Sequence, residues 1–96
     1  MNWYKCFIAG ENFPGALVGE DNLVGFFVTR FVQAESAEDA EHAGLCTLKD
    51  EDSLKLPEGI SPPAAAKVYF EKIEEVDEGD VPSVPPGFSF FPMEPP

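Results

Sequence analysis

Residues 23 to 34, Leu-Val-Gly-Phe-Phe-Val-Thr-Arg-Phe-Val-Gln-Ala, narrow the folding options of this chain more than any other segment. β-Branched and aromatic residues run almost unbroken through it, which favours a pleated strand over a helix. Alternation puts Leu23, Phe27, Thr29 and Phe31 on one face and Val24, Phe26, Val28, Arg30 and Val32 on the other. Both faces are apolar and both need cover, which a single helix cannot supply. Arg30, alone among aliphatic and aromatic neighbours, must find an acid or reach the edge of the sheet, and Glu71 or Glu75 on a neighbouring strand is the expected partner.

Around this strand the pattern predicts an α+β domain: an antiparallel sheet of three or four strands with one main helix packed on one face, in the order strand-strand-helix-strand. Residues 2 to 9 alternate Trp3, Lys5 and Phe7 with Tyr4, Cys6 and Ile8 and form the first strand. Residues 10 to 22 mix turn residues with the apolar stretch Ala16 to Val18 and read as a long loop or a bulged strand extension. Ser36 caps a helix over 37 to 49, with Glu38 and Asp39 in the first turn where the helix dipole favours negative charge. Its buried stripe is Ala37, Ala40, Gly44 and Leu48, flanked by Leu45, small enough for close seating on a sheet. Residues 50 to 63 form a loop. Residues 64 to 76 fit two patterns: a helix capped by Ser61 with Pro62 at its first position, or a strand centred on Val68, Tyr69 and Phe70. The strand is preferred because two strands and one helix need a third strand for a stable sheet.

The chain divides into a domain over 1 to 80 and a Pro-aromatic tail over 81 to 96. The tail prolines forbid a helix and favour extended backbone, while Phe88, Phe90, Phe91 and Met93 are too apolar for water, so the tail is expected to dock on its own domain or on a partner subunit. With 96 residues the core is small, since a chain of this size buries only about 60 to 65% of its unfolded surface.

The formal charge of -12 gathers in the second half, where residues 35 to 56 and 57 to 80 each carry seven acids against two lysines. Such a surface repels phosphate backbones and anionic lipid, so neither nucleic-acid nor membrane binding is expected. The N-terminus lacks the basic start and apolar run of a secretory signal, and no segment is long enough to span a bilayer. The expected compartment is the cytoplasm, with Cys6 and Cys46 kept as thiols.

Three stretches together resemble a group of short, uncharacterised bacterial proteins: Tyr4 to Phe13 ending in Gly-Glu-Asn-Phe, Gly25 to Ala40, and Pro85-Pro-Gly-Phe-Ser-Phe-Phe-Pro92. The resemblance implies a stand-alone bacterial domain and brings no activity with it. The middle stretch is also similar to the strand-to-helix passage of HicB-type antitoxins over about twenty residues, a pattern of strand, cap and helix start that many folds share.

No constellation reads as a catalytic, cofactor or metal site. His42 lies four residues from both Glu38 and Cys46 on the helix, yet the chain holds three Cys and His residues in total where a closed zinc site draws mainly on four. The pattern is better read as an exposed histidine near a carboxylate with a small buried thiol. Asp50-Glu51-Asp52 and the acids from Glu74 to Asp80 lack the spacing of a calcium loop and read as solvated faces. Gly10, Gly15 and Gly19 do not match a phosphate-binding fingerprint. The expected function is therefore a small, non-enzymatic protein-interaction module that forms a homodimer, with Phe27, Phe31, Phe88, Phe90 and Phe91 as contact residues for a partner or ligand. The alternatives are a small-ligand protein or enzyme with a pocket between sheet and tail, and an acidic inhibitor or antitoxin-like protein. No cofactor is expected.

Overall fold

Four antiparallel strands and one α-helix make up the fold in the computed structural model, which describes residues 1–49, 51, 54–56, 58–60, 63–84 and 86–93. The strands are β1 (Asn2–Phe13), β2 (Val24–Ala34), β3 (Lys67–Val76) and β4 (Ser89–Pro92), in the spatial order β3-β1-β2-β4. The helix α1 (Ala37–Lys49) joins β2 to β3 and covers one face of the sheet.

Local chemistry explains each element. The central pair matches Cys6 with Arg30, Ile8 with Val28 and Gly10 with Phe26, so the even-numbered residues of both strands face the helix. β1 runs four residues beyond the expected end because it continues through a bulge between Gly10 and Phe13, with Asn12 at φ 59°. Gly10 permits the close approach of the Phe26 ring, since a Cβ there would lie 2.0 Å from it. A short 3-10 turn, Gly15–Val18, follows where the sequence pattern gave a loop.

α1 begins as expected at its cap, where the Asp39 amide donates to the Ser36 hydroxyl at 3.1 Å. Ala40, Gly44 and Leu48 form its buried stripe, whereas Ala37, the first residue of the helix, is exposed. At Gly44 an added Cβ would stand 3.0 Å from the Phe70 ring and 3.8 Å from Ile8, the close seating that small residues allow.

The strand reading of residues 64 to 76 holds over Lys67–Val76; Ser61 and Pro62, the cap and first residue of the helical alternative, lie outside the described residues, as do Asp50 and Asp52. Within β3, Glu71 is the extra residue of a second bulge opposite Phe7 and Ile8. The core comprises Tyr4, Cys6, Ile8, Phe26, Val28, Val32, Ala34, Ala40 and Leu48, bordered by Phe13, Leu54, Val68, Phe70, Ile73, Phe88 and Phe90. No helix among the described residues is long and apolar enough to cross a membrane.

Candidate interaction surface

The helix takes one face of the sheet, and the odd-numbered residues of β1 and β2 are left on the other. Phe7 stacks on Phe27 with centroids 5.7 Å apart, and Phe27 stacks in turn on Phe91 of β4 at 5.1 Å. This places one aromatic ring on each of three adjacent strands. Gly25 lies opposite Phe91 in the β2–β4 ladder, and a Cβ there would come within 2.5 Å of the Phe91 ring, so its absence lets that ring lie flat on the sheet. Ala9 sits in register between Tyr69 and Phe27 and is buried by its large neighbours, although Phe7, Phe27 and Tyr69 each remain 38% exposed. Phe31, opposite Lys5, and Trp3, opposite Gln33, continue the face toward its other end, where both are half-buried and line a cavity with Val81, Pro82 and Pro86.

The charges on this face are arranged unlike those of the rest of the chain. Lys67 binds Glu11 at 3.3 Å and Lys72 binds Glu74 at 3.3 Å, while the Tyr69 hydroxyl donates to Glu11 at 2.9 Å. That hydrogen bond, together with the nearby charges of Glu11 and Glu71, raises the Tyr69 pKa above its ordinary value. Lys5 stands in register with Glu74. Among the charged side chains of β1 and β3 around this face, Lys5, Lys67 and Lys72 thus match Glu11, Glu71 and Glu74 in number, while Asp77 and Glu78 lie beside Trp3 and Gln33 at one end and Glu20 beside Phe91 at the other.

The residues named from sequence divide between the two sides. Phe27, Phe31 and Phe91 belong to the open face. Phe88 and Phe90 turn to the helix side and pack on Phe26 at 5.3 and 6.0 Å, because β4 pairs along the edge of β2 and alternation separates Phe91 from its neighbours. Phe7 and Tyr69 were missed, and the alternation of Phe7 with Cys6 and Ile8 was the signal that could have found Phe7.

Arg30 is buried on the helix side, and its partner is neither Glu71 nor Glu75. Its Nε donates to Glu51 at 2.8 Å and its Nη2 lies 2.7 Å from the same carboxylate. Nη1 donates to the carbonyls of Thr29 and Pro86, and the guanidinium lies over the Phe88 ring at 5.2 Å. Glu51, just beyond α1, reaches it because the helix returns the chain above that stretch of β2, whereas β1 stands between β2 and β3.

Elsewhere, His42 is exposed on α1, and Cys46, the thiol expected to be buried beside it, is exposed as well, because it lies off the Ala40–Gly44–Leu48 stripe; the buried thiol is Cys6 of β1. Both cysteines are free. Burial, and secondarily the charge of Glu41, pushes the Cys6 pKa up to about 11, and its Sγ faces the Ala40 carbonyl at 4.0 Å. Among the described residues no group of three or more His, Cys, Asp or Glu side chains is placed to hold a metal ion. A groove of about 360 Å³ runs between the β1–β2 connection and β4, lined by Val18, Leu23, Val24, Phe90, Phe91 and Pro92 together with Glu20 and Asn22. Comparison with protein families, with curated proteins and with solved structures finds no match.

Proposed function

We propose that this protein is a non-enzymatic interaction module that self-associates into a homodimer through the open face of its sheet. The observation that carries this reading is the stack Phe7–Phe27–Phe91, partly exposed and set among matched lysines and acids of β1 and β3 on a strongly acidic chain. A contiguous aromatic patch of this kind marks an interaction site on a water-soluble surface. Two acidic copies repel each other at most approaches, but at the middle of this face the lysines and acids of β1 and β3 are matched, and Lys–Glu pairs can exchange partners across a twofold axis.

Size supports the same reading. Three strands of ten to twelve residues and the short β4 give a projected face of about 600 Å², which side-chain relief enlarges toward the roughly 800 Å² per partner of a standard interface. Edge-to-edge pairing is the weaker geometry: β3 is interrupted by its bulge and carries Lys67, Glu71, Lys72, Glu74 and Glu75, and β4 is short and ends in Pro92.

Sedimentation equilibrium at micromolar concentration and two salt levels tests the proposal. A dimer mass is expected, with tighter association at the higher salt as the repulsion between the acidic surfaces is screened. Phe27→Glu should give a folded monomer, and a monomer mass for the unaltered protein at both salt levels contradicts the reading.

The groove of about 360 Å³ favours a second reading, a site for a small apolar ligand between sheet and tail. A thermal-shift screen of apolar compounds should then raise the melting temperature, with the gain lost in Leu23→Asp; no stabilising compound would count against it.

A further inference from the structure

The ionic cluster on the helix side and the aromatic stack on the open side are joined by one short segment of chain. Arg30 holds the carbonyl of Pro86 and the ring of Phe88, and β4 starts at the next residue, Ser89. Along β4 the alternation leaves Phe90 against Phe26 and sends Phe91 through to stack on Phe27. The position of Phe91 on the open face is thus determined by what seats the tail on the other side.

Backbone pairing alone does not seat β4, even with Phe90 packed on Phe26. β4 has four residues and one neighbouring strand, and a strand so short is marginal without further anchors. Two flank it: the Met93 amide donates to the Leu23 carbonyl at 3.0 Å after the strand, and the Arg30 cluster grips the chain before it. Arg30 is 5% exposed, and its guanidinium meets a carboxylate, two carbonyls and a ring that belong to three separate segments: β2, the stretch after α1 and the tail. A planar fork with fixed donors suits that bridging task where a lysine does not.

We propose that Arg30 and Glu51 form a clasp that positions Phe91 on the docking face, so that seating of the tail and self-association are coupled. This rests on the self-association reading above. Opening the clasp frees β4 and removes one ring of the stack; closing it completes the face. Arg30 and Glu51 are positioning residues, since neither lies on the open face.

The test uses the full chain with Arg30→Met and Glu51→Leu together, which removes both charges and leaves no buried ion unpaired. Hydrogen exchange is compared in a Phe7→Glu background, which disrupts the interface without touching β4, so that dimer formation does not contribute to protection. Amides of residues 89 to 93 other than Pro92 should exchange roughly tenfold faster or more, while those of β1 and α1 keep their protection. Without Phe7→Glu, the same pair should weaken the dimer by roughly tenfold or more, since a few central aromatic anchors carry most of an interface. If the double variant fails to fold, Glu51→Gln serves instead, with a smaller shift of the same sign. Unchanged exchange in β4 with an intact core overturns the clasp. Faster exchange in β4 with unchanged dimer affinity overturns the coupling. A protein that is monomeric throughout refutes self-association, and the exchange comparison then still decides whether the clasp seats the tail.

Discussion

Arg30 shows what alternation within a strand can and cannot disclose. Its neighbours Val28 and Val32 place it on an apolar face, so its need for an acid was legible, but a partner beyond the helix depends on where the chain returns after α1. Cys6 and Cys46 show the same division: strand alternation buries Cys6, while the turn of the helix leaves Cys46 in water. A thiol reagent at pH 8 should therefore label Cys46 alone in the native protein and reach Cys6 only on unfolding; rapid labelling of both would contradict the burial of Cys6. The raised Cys6 pKa also sets a sign. The folded state binds the thiol proton more tightly than the unfolded chain, so stability is fully present below about pH 9 and falls as pH rises toward about 11. Tyr69 shifts in the same direction, so the comparison is between the unaltered protein and Cys6→Ala, which should show the shallower alkaline loss. At Gly10 the Phe26 ring occupies the space of a Cβ, and Gly10→Ala should cost about 1–3 kcal/mol by forcing that ring to move, read as a lower denaturant midpoint.

At the scale of elements, the helix was legible from end to end because Ser36 caps it and the polar loop follows it. Ser36→Ala should lower stability by about 1 kcal/mol, checked by denaturant unfolding. β3 was ambiguous for a physical reason. Val68 and Phe70 alternate toward the helix, the bulge at Glu71 then skips a residue, and Ile73 resumes the same side, so the apolar spacing imitates a helical face. The tail was legible as apolar chain in need of cover, but its partner strand was not, because its prolines obscure a four-residue β4 whose pairing is with residues more than sixty positions earlier. Deleting residues 87 to 96 removes Phe88, Phe90 and Phe91 together, and the melting temperature should fall by at least about 4–8 °C, the change that roughly 1 kcal/mol makes in a domain of this size. An unchanged melt would mean the packing of these rings contributes nothing.

For the whole molecule, the two apolar faces of the central strand meet different fates. One is closed by α1 and the tail aromatics Phe88 and Phe90, and the other is left as an aromatic row flanked by matched lysines and acids of β1 and β3. That one face would lack cover followed from sequence; that lysines and acids would pair across β1 and β3 did not, because it depends on the register that brings Lys67 to Glu11 and sets Lys5 opposite Glu74. The net charge of -12 predicts no measurable affinity for duplex DNA or RNA at moderate salt in a filter or gel assay, and salt-sensitive micromolar binding would contradict it. The central claim is that the open face meets a second copy of itself. An equal mixture of isotope-labelled and unlabelled protein, examined for nuclear Overhauser contacts between the two kinds of chain, tests it most directly: contacts among Phe7, Phe27 and Phe91 of opposite copies are the predicted result, and contacts confined to α1 or the β3 edge, or none at any concentration, would contradict it.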